Sequence, residues 1–180
     1  MASATPSLVF HGARRPGAGV DFIAITANTP HIVFDELAAE SSVPLISIVE
    51  VCADAAQELG LKQLSLLGTR FTVDAPFYPA VFARRSMTVV RPNDADKAWV
   101  HDKYVGELLE GEFRDDTRAE FVALVDRLRR EQNIDGVILG GTELPLLLRS
   151  PTISGLPVLD TTALHVAAIV ARLEQGESRV

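Results

Sequence analysis

Short apolar runs, each ending in a turn of Gly, Thr, Asn or Asp, alternate along this chain with helical patterns, and that alternation constrains the fold to the α/β class. The β-rich runs are Phe22–Ile25, Leu45–Val49, Leu64–Leu67, Met87–Val90, Gly136–Leu139 and Val158–Leu159. They are nearly continuous in apolar residues, as strands are when helices cover a parallel sheet on both faces. Helical patterns fill the intervals at Ile32–Ala39, Ala53–Leu59, Ala98–Leu109 and Ala119–Arg130, and Ala163–Leu173 closes the chain. Within Ala119–Arg130, Phe121, Leu124, Val125 and Leu128 fall at i, i+3, i+4 and i+7, which is one helix face. At 180 residues, 47% of them hydrophobic, the chain can bury a real core.

The informative residues follow the strands. Thr26-Ala27-Asn28-Thr29-Pro30-His31 follows the first run, with Thr29 placed as a helix N-cap and Pro30 at the first helical position. Gly68-Thr69-Arg70-Phe71-Thr72 follows the third run, Gly140-Gly141-Thr142-Glu143 the fifth and Asp160-Thr161-Thr162 the last. In an open α/β sheet such junctions gather beyond the carboxyl ends of the strands, where ligands bind. Hydroxyls and unpaired N–H groups at helix starts suit a small molecule carrying one or two carboxylates. Helix capping alone explains any single one of these junctions. Four on one rim, together with Asn28, Arg70 and Glu143, point toward a site.

These strings carry a resemblance. Asn28-Thr29-Pro30-His31, Leu66-Leu67-Gly68-Thr69-Arg70-Phe71-Thr72, Gly140-Gly141-Thr142-Glu143-Leu144-Pro145 and Leu159-Asp160-Thr161-Thr162-Ala163-Leu164-His165 resemble the aspartate/glutamate racemase superfamily, in order, from about Gly19 onward. The resemblance implies two Rossmann-like α/β lobes with parallel sheets and a ligand cleft between them. It divides the chain into an irregular 1–19, a first lobe of 20–62 plus 156–180 truncated at its N-terminus, and a second lobe of 63–155. It also implies that no cofactor is needed. In that family one cysteine precedes the Asn-Thr motif and another precedes Thr-Glu, and two thiols exchange an α-proton across opposite faces of the substrate carbon. Here those positions hold Ala27 and Gly141, which can neither take nor give a proton.

Two readings follow. In one, the chain is a racemase-family enzyme whose substitute acid–base pair is Glu143 and His165. Asn28, Thr29, Thr69, Thr142 and Thr162 hold an aspartate, a glutamate or a similar small carboxylate, with Asp160 nearby. In the other, it is a non-catalytic carboxylate-binding or regulatory relative, a pseudoenzyme. His31 is ambiguous between helix start and site, and Cys52, within a helical pattern, reads as a small core hydrophobe. His31, Cys52, His101 and His165 lack metal-ligand spacing. The net charge of −7 argues against nucleic acid and acidic membrane as partners. With one cysteine, no membrane-length apolar run and no signal-peptide pattern in Met1–Gly19, the expected compartment is the cytoplasm. An exposed edge on a truncated first sheet invites pairing with another chain, so a partner or a homo-oligomer is expected to complete it.

Overall fold

The computed structural model describes residues 19–177, with side chains through residue 175. All of the irregular 1–19 segment except Gly19 lies outside these residues. The described chain is an α/β structure built on two sheets. Strands β1 (Ile23–Ala24) and β2 (Leu45–Ile46) form a small parallel pair. A 3-10 turn at Thr29–Val33 and helix α1 (Phe34–Glu40) connect them. Helix α2 (Ile48–Glu58) then leads into the larger sheet.

That sheet contains β3 (Gln63–Leu67), β4 (Thr88–Val90), β5 (Gly136–Leu139), β6 (Thr152–Ile153) and β7 (Leu156–Asp160), in the spatial order β4-β3-β5-β7-β6. All neighbours are parallel except β6, which is antiparallel to β7 at one edge. Its helices are α3 (Arg70–Asp74), α4 (Phe77–Ala83), α5 (Asp94–Gly106), α6 (Asp115–Gln132), α7 (Leu144–Leu147) and α8 (Thr161–Glu177).

The strands alternate between two cores, as a period of two requires. Leu64, Leu66, Ile138 and Leu159 face one layer with Ile48, Val49, Cys52, Ala53, Tyr78 and Phe82, from α2 and α4. Leu67, Val137 and Leu139 face the other, with Val100, Tyr104, Phe121, Leu124, Val125 and Leu128, from α5 and α6. The face expected on α6 is therefore the buried one. Cys52 is fully buried in the first core, and desolvation pushes its thiol far above the ordinary range, so it packs as a small hydrophobe.

Three features differ from the sequence pattern. The run Leu45–Val49 stops as a strand at Ile46, because Ser47 Oγ accepts from the N–H groups of Val49 and Glu50 (3.3 Å each) and starts α2 there. Helix α2 then buries its apolar face against the larger sheet. The segment 156–180 divides as well. Its strand β7 pairs with β5 in the larger sheet, while α8 packs chiefly on α2 and touches β2 of the small sheet as well as β7. Helix α4 has no counterpart among the sequence-based helices, although Tyr78 and Phe82 on it are completely buried.

Candidate active site

Glycine makes the junctions converge. A β-carbon on Gly68 would lie 2.8 Å from the carbonyl oxygen of Gly140, and one on Gly140 would press on Leu66 and stand 3.1 Å from the Leu67 carbonyl. Only hydrogens fit between the ends of β3 and β5, where the Gly140 N–H donates to the Leu67 carbonyl at 2.7 Å. The turns after these strands are thereby held side by side.

On that rim, three threonines from two junctions meet. Thr29 Oγ1 lies 2.9 Å from Thr72 Oγ1, and Thr69 Oγ1 lies 3.4 Å from the same atom. Thr72 is buried, Thr69 half-buried and Thr29 exposed, so the cluster runs from the interior to solvent. Thr29 does not cap the 3-10 turn with its side chain; its hydroxyl points to the junction after β3 instead. Beyond Gly140, Thr142 Oγ1 donates to Glu143 Oε2 at 2.7 Å, and the Tyr104 hydroxyl from α5 donates to the same oxygen. Thr142 and Glu143 are both half-buried.

Other proposed site residues are engaged in holding the scaffold. Asn28 is buried; its Nδ2 donates to Thr161 Oγ1 at 3.1 Å, and its Oδ1 accepts from the Tyr78 hydroxyl. Thr161 passes the chain on to the Leu139 carbonyl at 2.8 Å. Tyr78, Asn28 and Thr161 thus tie α4, the first junction and the start of α8 to the end of β5. Asp160 Oδ1 accepts from the N–H groups of Thr162 and Ala163, 3.0 Å each, which makes it the N-cap of α8. Thr162 Oγ1 is buried without a hydrogen-bond partner among the described residues.

The histidines are structural ties. His165 Nε2 donates to the Ile46 carbonyl at 3.0 Å, bolting α8 to β2, and burial lowers its pKa. No hydrogen bond joins it to Glu143 among the described residues. His31 Nε2 accepts from the Ile48 N–H at 3.1 Å, so its proton must sit on Nδ1, which donates to the Ala27 carbonyl at 2.9 Å. Desolvation lowers the His31 pKa to about 4; the backbone bond to Ala27 opposes this and the neighbouring His165 adds to it. Ala27 itself is exposed at the rim. Both phenols stay protonated, since burial raises the pKa of Tyr78 and of Tyr104, and the Glu143 carboxylate raises Tyr104 further.

Sequence reasoning missed Thr72, Tyr78, Tyr104 and Thr161. Thr72 stands one helical turn beyond Thr69 and Thr161 beside Thr162, so both lay within motifs already singled out. The tyrosines carry no local signal. Among the described residues no group of His, Cys, Asp and Glu side chains could hold a metal ion, and no helix is long and apolar enough to cross a membrane.

A sequence model of the Asp/Glu/Hydantoin racemase family matches residues 1–169. The chain belongs to that family. It is 26% identical over 147 residues to the broad specificity amino-acid racemase RacX of Bacillus subtilis (strain 168), covering 81% of this chain and 61% of that protein. It is 28% identical over 160 residues to a glutamate racemase of Thermus thermophilus, covering 87% of this chain and 56% of the relative. The chain thus spans about three fifths of the length of these curated relatives. Among solved structures, an aspartate racemase homologue from Pyrococcus horikoshii OT3 superposes with a TM-score of 0.78 at 35% identity, covering 86% of this chain and 67% of the other. The two-lobe α/β architecture expected from the motifs is the architecture of these neighbours.

Proposed function

We propose that this chain binds a small amino or dicarboxylic acid in the cleft between its lobes and does not racemize it through thiols. The observation that carries the reading is the threonine cluster, in which Thr72 receives Thr29 from the first junction and Thr69 from its own, while positions 27 and 141 offer only a methyl group and a hydrogen. Hydroxyls that bond mainly to one another can turn outward to a carboxylate at small cost. The Thr142 hydroxyl, on the far side of Gly140, spends its proton on Glu143, and the Thr162 hydroxyl, without a partner among the described residues, is a further donor. The chain is then a binding or regulatory member of its family, acting in the cytoplasm. The open edge of β1, which pairs with β2 alone among the described residues, is the natural place for self-association.

Residual racemization by Glu143 and His165 is the competing reading. It is disfavoured because His165 is tied to Ile46 and one oxygen of Glu143 is already claimed by two hydroxyls. The test is NMR of L- and D-aspartate and glutamate with the protein in D₂O. Line broadening or saturation transfer without α-proton exchange is expected. Exchange above a protein-free control would overturn the non-catalytic reading, and the absence of any binding would overturn the carboxylate seat.

A further inference from the structure

Helix α1 has no buried residue, although Phe34 and Leu37 on it are half-buried. Between α1 and α4, over the start of α2, the structure leaves a pocket of about 180 Å³. None of Thr29, Thr69, Thr72, Thr142 and Thr162 lines it, so it is separate from the threonine rim.

The interior of this pocket is apolar and aromatic. Val49 from α2 and Val81 from α4 are buried there, and so is His31. The His31 ring stacks on Phe34, with centroids 5.1 Å apart and planes within 4°, and Phe77 lies tilted 6.5 Å away. Both His31 nitrogens are engaged by the backbone at Ala27 and Ile48, so the imidazole offers the pocket a neutral ring. On α4 the residues Phe77, Ala80, Val81 and Arg84 share one face at i, i+3, i+4 and i+7. The smallest of them, Ala80, is exposed at the rim and leaves the pocket open.

Charge at the mouth has one sign. Asp35, Glu50 and Arg84 line it, two acids against one arginine. Glu50 is engaged by both Arg84 and Arg85. Asp35 is exposed and forms no ion pair among the described residues. One negative charge is left unbalanced beside an aromatic hollow, in a chain whose net charge is −7.

We propose that this pocket binds a small aromatic amine, its ring among His31, Phe34 and Phe77 and its ammonium group at Asp35. An apolar cavity of about 150 Å³ accepts benzene, so this one suits a single ring with a short arm. Aromatic rings gain from packing edge or face against the phenyl and imidazole walls, beyond the area they bury. Asp35 favours a cation at the mouth and repels an anion. The proposal is independent of the carboxylate reading, since the two sites share no residue.

Three ligands of one shape and different charge test it: phenethylamine, 2-phenylethanol and phenylacetate. Isothermal titration of the full chain at low salt should rank them amine, alcohol, acid. The amine should bind roughly tenfold tighter than the acid, because one exposed ion pair is worth up to about fivefold and the like charge costs a similar factor. Asp35→Asn should bring the three within about twofold and leave 2-phenylethanol unchanged. Ala80→Phe fills the pocket from an exposed helix position and should weaken all three at least tenfold in a sample that melts cooperatively. If that variant does not fold, Asp35→Asn decides. Excess aspartate should leave phenethylamine binding as it was. No binding of the amine, phenylacetate binding as tightly, or wild-type affinity in Ala80→Phe would each overturn the proposal. Equal binding of 2-cyclohexylethylamine would overturn the aromatic class, and displacement by aspartate would move the amine to the threonine rim and overturn the separate site.

Discussion

Replacing Gly141 by alanine adds one methyl group at the most crowded point of the site. The methyl carbon would stand 2.6 Å from Tyr104 Cε2 and 2.8 Å from Cζ, well inside van der Waals contact. The ring cannot swing aside cheaply, because Tyr104 is 4% exposed and packs within the core formed by α5, α6 and the sheet. Forcing an extra carbon into such a core costs about 1–3 kcal/mol. Relief by ring displacement would instead forfeit the hydrogen bond to Glu143, a charge-assisted bond worth roughly 1.5–3 kcal/mol. Either route gives a loss near ~2 kcal/mol, or roughly 4–8 °C in Tm for a chain of this length. The backbone at 141 is not in the left-handed region that favours glycine, so conformational strain does not confuse the result. Urea unfolding of Gly141→Ala, Tyr104→Leu and the double variant isolates the term. The alanine should cost about 2 kcal/mol beside tyrosine and under about 0.5 kcal/mol beside leucine, which lacks the atoms that clash. A single Gly141→Ala variant with an unchanged urea midpoint would refute the packing argument. The same overlap meets a cysteine at 141, so restoring the family thiol first requires Tyr104 to give way.

Two further outcomes follow from the buried network. His31 is neutral in the folded protein with its pKa lowered to about 4 against an ordinary 6.5, so between those values the unfolded chain binds more protons. The contribution is fully present above pH 6.5 and is lost as the pH falls toward 4, by roughly 3 kcal/mol at about 1.36 kcal/mol per unit. Urea midpoints across pH 4–7 should drop more steeply for the wild-type protein than for His31→Gln, and parallel curves would contradict the assignment. Tyr78→Phe leaves Asn28 Oδ1 buried without its donor and should cost about 1–3 kcal/mol with an unchanged m-value. A cost near zero would mean that Asn28 finds another donor, and that Tyr78 does not secure the first junction.

The lowest-energy local choices were legible in the chain. Phe121, Leu124, Val125 and Leu128 repeat at helical spacing and form the buried face of α6, because the amphipathic period is a property of consecutive residues. Gly136–Leu139 is apolar throughout and is a central strand buried on both faces. The junction motifs identified the family and the rim on which Thr29, Thr69, Thr142 and Glu143 stand. Asn28, Asp160 and His165 lie in those same motifs, yet their hydrogen bonds are scaffold bonds. A string of letters shows which polar groups are near a rim, but not which of them a neighbour has already claimed.

The sequence by itself determined the α/β alternation, the family and the absence of both thiols, since each is a matter of residue identity and short-range period. The tertiary structure alone decided what stands in their place. Tyr104 meets Glu143 from 39 residues away, Tyr78 meets Asn28 from 50, and Asn28 meets Thr161 from 133. Those meetings are set by how α4, α5 and α8 pack on the sheet, and no local spacing encodes them. Whether Gly141 is an empty place or a filled one is likewise a question of volume, answered by the ring that the core pushes against it.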